Sequence, residues 1–128
     1  MSKINTITID NVVIGHSIND AIVDFIKSKN FTQVIIFTQQ AIQDSSKILI
    51  DQLITEHNAE LFILDDGESS KDISSAMKSI SRLAQISANQ ETLLIACGGG
   101  SVSDHVGFIS SIFKRGIQYI NIPTTLIG

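Results

Sequence analysis

Three consecutive glycines, Gly98, Gly99 and Gly100, join an apolar run to an amphipathic one, and this junction is the part of the chain best suited to chemistry. Upstream, Thr92, Leu93, Leu94, Ile95 and Ala96 read as a buried strand; downstream, Val102, Val106, Ile109 and Phe113 recur at helical spacing. A strand that passes through residues without side chains into a helix start lets main-chain N–H groups approach an anion closely. The helix dipole adds to the attraction. Phosphate binding is the chemistry this predicts. The spacing is not the GxGxxG dinucleotide fingerprint, because Ser101, Val102 and Ser103 follow, nor is it a Walker loop, which needs Lys followed by Ser or Thr. On spacing alone a purely structural turn stays an open reading.

Other residues carry weaker signals. Glu68 and Lys71 stand three apart in the run Asp66-Gly67-Glu68-Ser69-Ser70-Lys71, where an ordinary surface ion pair is the simplest account. Asp104 reads as a carboxylate in the first turn of a helix, stabilising it by about 0.3–1 kcal/mol. Thr124 and Thr125 follow Pro123, which lacks an N–H and suits the end of a strand ladder. Lys114, Arg115 and Gly116 suit a helix C-terminus, with cations on the negative end and glycine free to take a left-handed cap. Cys97 ends an apolar strand and reads as a buried, inert thiol. The three histidines show no metal-ligand spacing. His16 is expected in a loop, His57 at a solvated helix end, and His105 beside the crevice, exposed or locally bonded.

The elements that must position these residues alternate. Ile4–Ile9 and Val12–Ile14 read as short strands joined at Asp10-Asn11, and Ser17 can cap a helix with Ile18, Ala21, Ile22, Phe25 and Ile26 on one face. Val34–Phe37 is a strand, followed by a helix from about Ala41 to His57 that buries Ile42, Leu49, Leu53 and Ile54. Leu61–Leu64 is a strand; Ile73, Ala76, Met77, Ile80, Leu83 and Ala84 mark an amphipathic helix; Ile117–Ile122 is the last strand. Strands separated by helices of this length need crossovers, hence an α/β fold: a Rossmann-like, mostly parallel sheet with helices on both faces. Ligands on such sheets bind beyond the strands' carboxyl ends, where Gln39, the Asp66 loop, the Gly98 loop and Thr124-Thr125 all fall.

Composition narrows the classes of partner. The 128 residues, 43% hydrophobic, suit one domain over 1–128 with no internal boundary. A net charge of −4 and a pI near 5.1 argue against nucleic acid or anionic membrane. No apolar run approaches about 18 residues and Met1–Asn5 has no signal-peptide core, so a cytoplasmic protein is expected.

The segment GGGSVSDHVGF, then KRG, then YINIPTTLIG resembles the signature of the sugar phosphate cyclases, the 3-dehydroquinate synthase-like family. Gly98–Gly100, Asp104, Gly107, Phe108, Arg115, Gly116 and Pro123–Leu126 match in order and spacing, and Asp66–Lys71 resembles the family's Asp-Gly-Glu-x-x-Lys loop. The resemblance implies a dinucleotide cofactor, NAD, held by Gln39, Asp66, Gly67, Glu68, Lys71, Gly99, Gly100, Ser101, Val102, Asp104, Thr124 and Thr125. In that setting Asp104 accepts from ribose or nicotinamide groups, because a carboxylate beside phosphate is repelled. Glu68 accepts from ribose hydroxyls, Lys71 lies near phosphate or ribose, Gln39 meets the adenosine ribose, and the Thr124-Thr125 pair meets the nicotinamide side.

The family reaction uses NAD to oxidise a phosphorylated sugar transiently, eliminates phosphate and closes a carbocycle. A zinc or other divalent metal is expected only in a helical C-terminal domain absent from this chain, so no catalytic residue or metal ligand is expected here and the chain alone is expected to be inactive. Ser103 and the ending Leu126-Ile127-Gly128 depart from 3-dehydroquinate synthases, which tend to carry Gly and Leu-Leu there; the ending PTTLIG is similar to 2-epi-5-epi-valiolone synthases acting on sedoheptulose 7-phosphate. Iron-containing alcohol or glycerol dehydrogenases, which share GGGSxxD, and a non-enzymatic nucleotide module are the alternatives. The apolar end Leu126-Ile127-Gly128 offers an association surface, so a homodimer is among the expectations.

Overall fold

Alternate residues along β1 (Gln33–Gln39) and β3 (Thr92–Gly98) enter opposite sides of one sheet, as the two-residue period of a strand requires. Val34, Ile36, Leu93 and Ile95 join one core; Ile35, Phe37, Leu94 and Ala96 join the other. The computed structural model describes residues 18–44, 46–64, 73–113 and 116–123. Within them β2 (Glu60–Leu64) and β4 (Gln118–Pro123) complete a four-stranded, wholly parallel sheet in the order β2-β1-β3-β4. The expected α/β sheet with helices on both faces is what forms.

The helices divide by core. Ile22, Val23 and Ile26 of α1 (Ile18–Lys27) and Leu49, Ile50 and Leu53 of α3 (Lys47–His57) fill the first core, with a four-residue helix α2 (Gln40–Gln43) directly after β1. Ala76 and Leu83 of α4 (Ile73–Gln85) and Val102, Val106 and Ile109 of α5 (Gly100–Ile112) fill the second. All seven residues of β3 are buried, as a central parallel strand demands. Left-handed residues close the helices: Asn58 (φ 53°) caps α3, and Ser87 (φ 60°) follows α4, where the Ala88 N–H donates to the Leu83 carbonyl at 2.9 Å. Gly116 (φ 96°) turns the chain into β4, in the left-handed conformation its sequence position predicts.

Three expectations about elements change. The single helix expected over Ala41–His57 is two, α2 ending at Gln43 and α3 starting at Lys47. Within α3, Leu49, Ile50 and Leu53 are buried while Ile54, expected in the core, is 37% exposed. On α4 the apolar stripe is wider than its buried strip: Ala76, Ser79 and Leu83 are buried and Ile80 half-buried, but Ile73, Met77 and Ala84 are exposed. His57, expected in solvent, is half-buried, its Nε2 lying 3.3 Å from the Val23 carbonyl oxygen across the α1–α3 interface. The expected strands before residue 18, His16, the Ser17 cap and the Lys114-Arg115 pair lie outside the described residues.

Truncating a side chain on the narrow strip should cost far more than truncating one beside it. Leu83→Ala is expected to destabilise by about 2–5 kcal/mol, and Met77→Ala by no more than about 0.5 kcal/mol, both read by urea unfolding. Equal losses would mean that the wider stripe is covered.

Candidate functional site

The chain runs from β1 outward to β2 on the α3 side of the sheet, and from β3 outward to β4 on the α5 side. Strand order therefore reverses between β1 and β3, and the carboxyl ends of these two strands flank a crevice. The register Phe37↔Ala96 sets Gln39 level with Gly98, while Gln39 pairs with Leu64 and Gly98 with Pro123. All four strands end on one edge.

α5 starts at that edge. Gly99 is its N-cap, extended at φ −89° and ψ −162°, and no side chain caps the helix. The first intrahelical bond runs from the Ser103 N–H to the Gly99 carbonyl, so the Gly100, Ser101 and Val102 N–H groups precede the ladder and have no helical acceptor. A Cβ placed on Gly99 or Gly100 would meet nothing within 4 Å. Open space and uncapped donors together form an anion cradle.

The three glycines differ in role. Gly98, which the sequence alone leaves out of the site, is buried, and a Cβ there would lie 2.8 Å from Val102 Cγ2 and 3.1 Å from Ile42 Cδ1. It lets α5 pack closely on the sheet, whereas Gly99 and Gly100 keep the approach to the amides clear. Val102 is fully buried against this contact, so only its main chain can reach a ligand. Ser101 is exposed; the Ser103 hydroxyl donates to the Gly100 carbonyl at 3.1 Å. Asp104 is exposed on the second turn of α5, not the first, so a dipole role fades, and its side chain leans back toward the cradle as helical side chains do.

Gln39 is half-buried at the end of β1, bringing it to the same edge as the cradle. Asp66, Gly67, Glu68, Lys71, Thr124 and Thr125 lie outside the described residues; in sequence they follow β2 and β4, whose last residues are on that edge. Thr38, next to Gln39, and Asn121 of β4 each hold a buried side-chain oxygen with no partner among the described residues. Orphaned polar atoms of this kind are ordinarily met by water or a ligand. A hydroxyl closing the apolar run Val34–Phe37 was the available sequence signal.

Two buried groups stand below the edge. Burial pushes the Cys97 thiol up, with Ser46 acting in the opposite direction, as befits the inert residue expected. His105 differs from expectation: it is 2% exposed, and its Nε2 shares a 2.8 Å hydrogen bond with the Ser79 hydroxyl of α4, a partner distant in sequence. Burial pushes its imidazole below the ordinary 6.5. Among the described residues no three His, Cys, Asp or Glu side chains come together as a metal site, and no helix is long and apolar enough to cross a membrane.

The sheet, its reversal point and the glycine-led helix place this chain in the doubly wound α/β class. The family described as 3-dehydroquinate synthase N-terminal matches residues 61–128, more than half of the chain, and the chain belongs to that family. It is 30% identical over 117 residues to the 3-dehydroquinate synthase of Staphylococcus saprophyticus, covering 91% of this chain and 32% of the relative. It is 35% identical over 102 residues to that of Clostridium tetani, covering 80% and 27%. The chain thus spans about a third of these relatives' length. Its fold matches 2-deoxy-scyllo-inosose synthase complexed with carbaglucose-6-phosphate, NAD+ and Co2+, with a TM-score of 0.68 and 23% identity, covering 85% of this chain and 31% of that one.

Two measurements check this geometry. Gly98→Val forces a clash and should lower stability by about 1–3 kcal/mol, while Gly99→Val should unfold with the native protein. For His105, an imidazole held neutral in the fold takes its proton more readily when unfolded, so stability should fall as pH drops below about 6.5, until the lowered folded value is passed. Urea unfolding at about pH 7.5 and about pH 5.5 should show a larger loss in the native chain than in His105→Leu.

Proposed function

We propose that residues 1–128 are the NAD-binding N-terminal portion of a 3-dehydroquinate synthase-like sugar phosphate cyclase. The observation that carries this reading is the bare first turn of α5, opening at the reversal between β1 and β3 with no side chain on Gly99 or Gly100 to obstruct it. Family membership supports it independently.

In this reading the N–H groups of Gly100, Ser101 and Val102 donate to the pyrophosphate, and the positive end of the helix adds to the attraction. Gly99 keeps the path open, and the exposed Ser101 hydroxyl supplies a further donor. Asp104 accepts from ribose or nicotinamide groups, and Gln39 meets the adenosine ribose with its side-chain amide. Asp66, Gly67 and Glu68 contact the ribose, with Glu68 accepting from its hydroxyls; Lys71 sets a positive charge near phosphate or ribose, and Thr124 and Thr125 serve the nicotinamide side. Bound NAD would supply a hydride acceptor, which these residues hold and orient.

For the whole protein the same reading includes a phosphorylated sugar substrate, phosphate-eliminating ring closure and a divalent metal held outside this stretch. The inosose synthase complex with a sugar-phosphate analogue, NAD+ and Co2+ supports that substrate class. Residues 1–128 alone then bind nucleotide without turnover. A cytoplasmic, homodimeric protein completes the reading, with its net charge of −4 in keeping.

Calorimetry tests it. NAD and ADP-ribose should both release or absorb heat on binding the chain, and Gly99→Val should abolish this while circular dichroism stays native. Silence with both ligands would overturn the nucleotide site; undiminished affinity in Gly99→Val would overturn the main-chain cradle.

A further inference from the structure

The buried apolar side chains of α5 and its C-cap run in a single line. Val102, Val106, Ile109 and Phe113 recur at i, i+4, i+7 and i+11, and all four are buried. A line of apolar side chains resists lifting the helix off the sheet but resists rolling it much less, because dispersion contacts have little directionality. Residues step about 100° around a helix, so His105 and Gly107 fall on opposite flanks of that line.

Both flanks are fenced by something more specific than volume. On one, His105 shares its 2.8 Å hydrogen bond with Ser79 of α4, and its ring packs at 6.0 Å from that of Phe37. On the other, a Cβ added to Gly107 would lie 3.1 Å from the Tyr119 hydroxyl of β4, so the helix already sits close to that side chain. Phe37 also makes an edge-on contact with Phe62 at 4.9 Å, and the Arg82 guanidinium of α4 stacks over Phe62 at 3.7 Å. Ser79 and Arg82, three apart and so on one side of α4, both enter this closed set of contacts. α4 is thereby a fixed post for the His105 bond.

Roll matters at the far end of α5. Cα atoms lie about 2.3 Å from the helix axis, so a roll of about 25° carries the first-turn backbone by up to about 1 Å. A displacement of that size is enough to weaken an arrangement of converging donors. We infer that the buried Ser79–His105 hydrogen bond makes His105 a positioning residue: it fixes the roll of α5 and with it the aim of the Gly100, Ser101 and Val102 amides at a bound pyrophosphate. The ligand half of this inference rests on the nucleotide reading above; the helix half does not.

Ser79→Ala removes the bond and little volume, and Ser79→Thr keeps the hydroxyl. At a temperature where all variants are folded, Ser79→Ala should shift the amide NMR signals of Gly100, Ser101 and Val102 and raise the Kd for ADP-ribose by about tenfold, while Ser79→Thr returns both toward native values. His105→Leu should match Ser79→Ala, and the double variant should be no worse than His105→Leu. Unmoved first-turn amides in folded Ser79→Ala, or an unchanged Kd, would overturn the inference. Should the native chain bind no ADP-ribose, the nucleotide reading falls, and the amide signals alone decide whether the bond sets the helix.

Discussion

Three main-chain amides at the start of α5, without acceptors inside the helix, lie at the edge of a parallel sheet, and that edge is the constraint around which the described residues are arranged. A helix start ordinarily takes a Ser, Thr, Asp or Asn cap, worth about 1 kcal/mol. Here Gly99 stands in that place and caps nothing. The first-turn donors of α5 are therefore left without a helical acceptor. Gly98 contributes differently, by letting Val102 and Ile42 close over the end of β3, so that the cradle sits against the strand and not above it.

The sheet supplies what the cradle cannot. Parallel pairing sends every carboxyl end to one edge, and the reversal between β1 and β3 separates the chain leaving Gln39 from the chain leaving Gly98. Helices on opposite faces are the consequence of right-handed crossovers leading away from the reversal in opposite directions. Two cores clamp the strands from both sides, with Ile36 and Ile95 in one and Phe37 and Leu94 in the other. A site at strand ends inherits that rigidity. α4 is the thinnest part of the packing, with Ala76 and Leu83 as its fully buried apolar residues, which is why directional contacts through Ser79 and Arg82 carry weight there.

Periodicity makes the frame legible. The line Val102, Val106, Ile109 and Phe113 is buried as its spacing requires, and the apolar runs at Val34 and Thr92 are the central strands. What escapes depends on partners distant in sequence. His105 reads as exposed or locally bonded because its hydrogen-bond partner is 26 positions away on another helix. Gly98 reads as one of three glycines that free the main chain for an anion, whereas the neighbours it makes room for, Val102 and Ile42, come from two different elements. The break between α2 and α3 lies in the polar cluster Asp44-Ser45-Ser46, a local signal that the surrounding helical spacing conceals. On α4, spacing identifies the apolar side but not how much of it a narrow sheet edge can cover, so Ile73 and Met77 read as members of a core that ends short of them.

Asp104 shows how a small shift in a boundary changes a chemical role. Were the helix to begin a turn later, this carboxylate would sit in the first turn and its charge would serve the dipole. With Gly100 as the first helical residue, it stands a turn beyond the cradle, exposed, with no acid in the first turn itself. One turn is about 5.4 Å. At that separation in a water-like dielectric, two unit negative charges repel by about 0.8 kcal/mol. A phosphate held by three amides and a helix dipole can tolerate so weak an opposition. No ion pair among the described residues engages this carboxylate, which leaves it able to accept from neutral hydroxyl or amide donors. Main-chain donors for the charge and a set-back acceptor for its neutral neighbours together describe a nucleotide better than a free phosphate ion.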